Sequence, residues 1–141
     1  MTNPVTVRAF VPEDIDVVID LLQDVSAYRP PADAILLLAK AFAVQPSCYA
    51  CVAVQDGRLI GFGSVFFLSR LRGGVSAIIE DVVVAESFRG HGIGRIILNA
   101  ILEVASERGS FKVTLEAPPS AEKFYCAAGF VKAGCIMKFM L

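Results

Sequence analysis

Apolar side chains recur along this chain with two different periods, and the switches between them divide it into elements. From Val5 to Phe10, Thr6 and Arg8 alternate with apolar neighbours, the period of a strand with one wet face. Pro12-Glu13-Asp14 supplies the proline and acids that suit a first helical turn. Ile15, Val18, Ile19 and Leu22 share one face of the helix that follows, and Tyr28-Arg29-Pro30-Pro31 ends it. A second helix is expected from Ala32 to about Val44, closed by Gln45-Pro46-Ser47.

The β-rich runs Cys48 to Gln55 and Arg58 to Leu68 flank Asp56-Gly57, the dipeptide of a two-residue hairpin turn. After Arg70-Leu71-Arg72-Gly73-Gly74, a further strand is predicted from Val75 to Val84. Ile93, Ile96, Ile97, Ala100, Ile101 and Val104 return to helical spacing, with Gly109 as the stop. Phe111 to Glu116 reads as a strand, Pro118-Pro119-Ser120 as a break, Ala121 to Ala128 as a short helix and Gly129 to Leu141 as closing strands. The order β-α-α-β-β-β-α-β-α-β predicts an α/β (α+β) domain with a mixed, mostly antiparallel sheet flanked by helices.

Length and composition narrow the function. The 141 residues fit a single domain over 1–141. Thirteen Lys and Arg against 14 Asp and Glu leave a net charge of -1, no positive field for a nucleic acid. A hydrophobic share of 55% with only 19% charged residues excludes disorder. The longest uncharged stretch, Ala41 to Gln55, carries Gln45, Pro46 and Ser47 and falls short of the ~18 apolar residues of a membrane span. Met1 to Phe10 lacks the apolar core of a signal peptide, so a cytoplasmic protein is expected. The apolar surplus predicts a homodimer. Cys48 and Cys51 spell C-x-x-C, but residues three apart in a strand face opposite ways, so these two, like Cys126 and Cys135, are expected to be reduced thiols and no metal site is expected.

The candidate chemistry lies in Glu80-Asp81-Val82-Val83-Val84-Ala85-Glu86-Ser87-Phe88-Arg89-Gly90-His91-Gly92-Ile93-Gly94-Arg95, where a strand delivers the chain through a glycine turn into a helix. Gly90, Gly92 and Gly94 let backbone N–H groups converge at the helix's positive end, a cradle for a pyrophosphate that Arg89, His91 and Arg95 would reinforce. A P-loop needs a Lys after the glycines and a dinucleotide fold needs G-x-G-x-x-G; neither spacing is present. Glu80 and Asp81, adjacent in a strand, are expected to face opposite ways, so that one points into a substrate cleft.

The pattern R-x-x-G-x-G at Arg89, Gly92 and Gly94 resembles the cofactor motif of the GNAT superfamily of N-acyltransferases, and Phe124-Tyr125-Cys126-Ala127-Ala128-Gly129-Phe130 is similar to its F-Y-x-x-x-G-F. With the element order, the resemblance covers nearly the whole chain. Ile79 to Val84 and Lys112-Val113-Thr114-Leu115 resemble the members that acetylate glucosamine 6-phosphate. The resemblance implies a GNAT fold and acetyl-CoA as cosubstrate. It implies main-chain pairing of Val82, Val83 and Val84 with the pantetheine, and a pyrophosphate held by Arg89, Gly90, His91, Gly92, Ile93 and Gly94. It also implies Tyr125 as acid for the leaving thiolate and Glu80 as base for a small amine acceptor, an amino-sugar phosphate being one candidate. Arg29, Arg70 and Arg72 would then be the cations for such a phosphate. Ala121 stands where members often carry Asn, which removes one cofactor hydrogen bond. A binding module of the same fold without turnover is the alternative of a different class.

Overall fold

The computed structural model describes residues 3–141. Five strands form one sheet in the order β1-β2-β3-β4-β5: β1 Thr6–Ala9, β2 Cys48–Gln55, β3 Arg58–Ser69, β4 Val75–Val84 and β5 Ser110–Leu115. Only β4 and β5 run parallel, which sets the mixed sheet the element order implied. Asp56 and Gly57 both take positive φ, 52° and 74°, in the β2–β3 turn, the conformation that matches the twist of paired strands.

Helix α3 (Ile93–Glu107) covers one face of the sheet, while α1 (Ile15–Leu22) and α2 (Ile35–Ala43) cover the other. On the first face Ile97 and Ile101 pack on Cys51, Ala53, Val65, Ala77 and Ile79. The approach is close enough that a Cβ at Gly61 or Gly63 would meet Ile97 at 2.6 Å. Glycine at these two strand positions therefore seats the helix, and with it the start of α3, beside the end of β4. On the second face Val18 and Leu21 pack on Val52, Phe62 and Val83, with Phe10 and Phe42 edge to face at 5.6 Å.

Several expectations are corrected. Helix α1 ends at Leu22, well before Tyr28; the Gln23 side-chain amide donates to the Ile19 and Tyr28 carbonyls and turns the chain out of the helix. Helix α2 begins at Ile35, after a turn closed by the Ala34 N–H on the Pro31 carbonyl. The buried stripe of α3 is Ile93, Ile97, Leu98, Ile101 and Ala105, whereas Ile96 is 40% exposed, so the stripe lies one position round from the predicted one. After α4 (Glu122–Ala127) no strand forms between Gly129 and Leu141. That segment has the apolar content of a strand, but its backbone finds no strand partner among the described residues.

Candidate active site

Strand β4 builds the site through one irregularity. In its pairing with β3, Ser64 opposes Asp81 and Val65 opposes Ile79, so Glu80 is the extra residue of a bulge. The bulge inverts which residues face which side. Before it, Ala77 and Ile79 belong to the α3 face; after it, Val82 and Val84 do, and Val83 faces α1. Glu80 and Asp81 consequently point to the same side, correcting the expectation from strict alternation. Together with Phe42, Ser64 and Phe66 they line a cavity of about 330 Å³. Burial and the neighbouring Glu80 charge push the Asp81 carboxyl above its usual range.

β4 also parts from β5. The parallel pairing ends at Ile79 opposite Leu115, while β4 continues to Val84. Val82, Val83 and Val84 remain paired to Gly63, Phe62 and Gly61 on one side. Their other edge has no strand partner among the described residues.

β4 leads into the glycine turn. Gly90 and Gly92 both have φ of 80°, the left-handed region that only glycine enters without strain. Gly92 is the N-cap of α3 and no side chain caps that end, which leaves first-turn N–H groups for an anion. Gly94 lies inside the first helical turn, where a Cβ would sit 3.5 Å from Phe124. Arg89 donates from Nε to the Val84 carbonyl at 3.1 Å and forms an ion pair with Asp24 at 2.6 Å. His91 is exposed and its Nδ1 lies 3.2 Å from the Phe88 carbonyl. Arg95 turns away from the turn, donating to Asn99 and to the Ala127 carbonyl of α4, because its place on α3 faces that helix.

Tyr125 sits on α4 between the rings of Phe124 and Phe130, with centroids at 4.9 and 5.6 Å. Burial, and next the Asp81 charge, raise its phenol above the ordinary tyrosine range, so the hydroxyl keeps its proton. Bulge, open edge, glycine turn and Tyr125 thus gather around the last half of β4.

The arginines expected to hold a phosphate do not line this cavity. Arg29 pairs with Asp20 at 2.7 Å, and Arg70 donates to the Ser76 hydroxyl at 2.8 Å. A larger depression of about 560 Å³ between α1, Gly57–Leu59 and Ala85–Glu86 contains neither Glu80 nor Tyr125. All four cysteines are free, with Cys51 buried against α3. Among the described residues no helix is long and apolar enough to cross a membrane. Phe42, Ser64 and Phe66 join the two acids in this cavity without a local sequence signal, whereas two adjacent acids inside an apolar strand mark Asp81 beside Glu80.

Residues 16–130 match the acetyltransferase (GNAT) family. Over 87 residues the chain is 36% identical to a probable glucosamine 6-phosphate N-acetyltransferase of Oryza sativa subsp. japonica, covering 60% of this chain and 52% of that protein. Over 96 residues it is 31% identical to a glucosamine 6-phosphate N-acetyltransferase of Trypanosoma brucei brucei, covering 67% and 59%. The chain thus spans little more than half the length of these curated relatives. The solved glucosamine-6-phosphate N-acetyltransferase of Arabidopsis thaliana superposes with a TM-score of 0.88 at 21% identity, over 98% of this chain and 99% of that one, a likeness of fold.

Proposed function

The chain belongs to the acetyltransferase (GNAT) family, and from that premise we propose that it transfers the acetyl group of acetyl-CoA to the primary amine of a small acceptor. The observation that carries this reading is the parting of β4 from β5 beyond Ile79 and Leu115, beside an uncapped helix N-terminus. Residues 82–84 offer main-chain groups to the amides of a pantetheine arm. The turn from Arg89 through Gly90, His91 and Gly92 to Ile93 and Gly94 offers N–H groups and one cation to its pyrophosphate.

In this reading the acceptor amine gives its proton to Glu80, directly or through water, with Asp81 beside it in the same cavity. The amine nitrogen attacks the thioester carbonyl carbon and a C–N bond forms. Main-chain N–H groups of the open strand stabilise the oxyanion. The C–S bond then breaks, the departing thiolate takes the proton of Tyr125, and the surplus proton on the acylated nitrogen passes to the tyrosine phenolate through water. The products are an N-acetylated amine and coenzyme A.

The single domain is read as cytoplasmic, which the four free cysteines support, and as a homodimer, which the exposed apolar side chains of Val131, Ile136, Met137, Phe139 and Met140 support. Glucosamine 6-phosphate is the second reading of the acceptor, favoured by the names of the two curated relatives. The test of the reaction is mass spectrometry of amines incubated with acetyl-CoA and the chain, expecting a product heavier by one acetyl group. Cofactor-induced thermal stabilisation without product from any amine would instead mark a binding module.

A further inference from the structure

The cavity beside Glu80 and Asp81 has a chemistry selective enough to choose among acceptors. From its lining we infer that the acceptor is a primary amine on an apolar or aromatic stem that carries no anionic group. This rests on the reading of the chain as an amine acetyltransferase and deepens it.

Five residues line this open space: Phe42 of α2, Ser64 and Phe66 of β3, and the two carboxylate residues of the bulge. They supply two carboxyl groups, one hydroxyl and two aromatic rings, and none of the five is a lysine, arginine or histidine. The bulge matters here. Regular alternation would have sent one carboxylate to the α3 face; with Glu80 as the extra residue, both stand on the acceptor side. The aromatic wall is fixed in place. Phe42 stands edge to face with Phe66 at 6.3 Å and with Phe10 at 5.6 Å, and Phe10 in turn contacts Phe62 at 5.9 Å.

An ammonium group entering this space donates hydrogen bonds to the carboxylates, and the faces of the rings add attraction for its charge. Its methylene or aromatic stem finds Phe42 and Phe66. A phosphate in the same cavity would gain no cation from its lining and would face charge of its own sign. Of the three arginines expected to hold a phosphate, Arg29 and Arg70 are engaged with Asp20 and Ser76, and Arg72, like them, does not line the cavity. A volume of about 330 Å³ lies at the small end of ligand pockets, which run ~300–1,000 Å³, and suits a single ring with a short chain.

The experiment compares 2-phenylethylamine, hexylamine, glucosamine and glucosamine 6-phosphate as acceptors for the full chain with acetyl-CoA, with product followed by mass spectrometry. The inference expects kcat/KM for 2-phenylethylamine at least ten-fold above that for glucosamine 6-phosphate, and glucosamine at least equal to its phosphate. Phe66→Leu should raise KM for 2-phenylethylamine several-fold while the cofactor-induced rise in Tm stays as in the parent chain. Preferred acetylation of glucosamine 6-phosphate over both glucosamine and 2-phenylethylamine would overturn the inference and leave the acetyl-transfer reading standing. Failure to acetylate any of the four would remove the reading and the inference together.

Discussion

Arg89 and Asp24, 65 positions apart in sequence, meet at 2.6 Å, so the end of α1 is tied to the turn that follows β4. The same guanidinium holds the Val84 carbonyl, which fixes its plane next to the uncapped start of α3. Asp24 is thus an anion placed where a pyrophosphate is proposed to bind, and the two compete for one cation.

Asp24→Asn should therefore tighten acetyl-CoA binding. Both side chains are about half exposed, so the effect has the scale of a surface ion pair, ~0.2–1 kcal/mol, or roughly 1.4- to five-fold in Kd. Calorimetric titration at low and high salt checks it: the gain should shrink as salt rises. An unchanged Kd at low salt would show that Asp24 does not compete.

Gly92→Val tests the turn itself. A Cβ at Gly92 has nothing within 4 Å, so the chain folds, but φ of 80° strains a β-branched residue by ~1–2 kcal/mol or more. The apo protein should melt somewhat lower, and the acetyl-CoA-induced rise in Tm should vanish because the added methyls occupy the anion's place. A variant that melts lower yet keeps the full shift would move the pyrophosphate elsewhere.

Much of this site was legible from local rules. Asp56-Gly57 names its own turn, and the glycines at 90 and 92 state a positive φ before any partner is known, because both are properties of one or two residues. The bulge at Glu80 was not, since a bulge exists only relative to β3 and no pattern within β4 marks which residue is extra. The engagement of Arg95 with α4 depends likewise on a contact 32 positions away. From Gly129 onward the sequence has a strand's apolar content, but pairing requires a free edge in reach, and composition carries no information about that.

Tyr125→Phe removes one hydroxyl and keeps the ring between Phe124 and Phe130, so stability and cofactor binding should stay near those of the parent chain. Loss of a general acid acts in the transition state, and kcat should fall by ~10²-fold or more. Steady-state kinetics with thermal melts decide the matter; undiminished turnover would return Tyr125 to a packing role.

Asp14→Asn should weaken the fold rather than the chemistry. The buried Asp14 carboxylate accepts two bonds from Arg8, at 2.8 and 2.9 Å, and one from the Val11 N–H at 3.0 Å. The Arg8 hydrogen bonds chiefly hold its pKa below the ordinary aspartate value. Its stabilisation is accordingly complete above the unfolded value of ~4 and disappears as pH falls through the lower folded one. Urea titrations should show a deficit of ~2 kcal/mol for the variant at pH 7 that narrows near pH 3.

The carboxylate pair gives the last prediction, because Glu80 perturbs Asp81 in a known direction. Burial first, and then the Glu80 charge, raise the Asp81 pKa, so Asp81 takes its ionised form only at higher pH than an exposed aspartate would. If the pair accepts the amine proton, the acid limb of the pH profile of kcat/KM reports that raised value. Glu80→Gln removes the charge that helps hold Asp81 protonated, so whatever activity remains should have its acid limb displaced toward lower pH. Asp81→Asn removes the raised group, so the acid limb seen in the parent chain should be lost from that variant's profile. Measuring both variants with one amine separates this from ionisation of the acceptor, which is common to all three proteins. A limb that stays at the same pH in the parent chain and both variants would assign it to the amine and leave Glu80 and Asp81 as binding groups only.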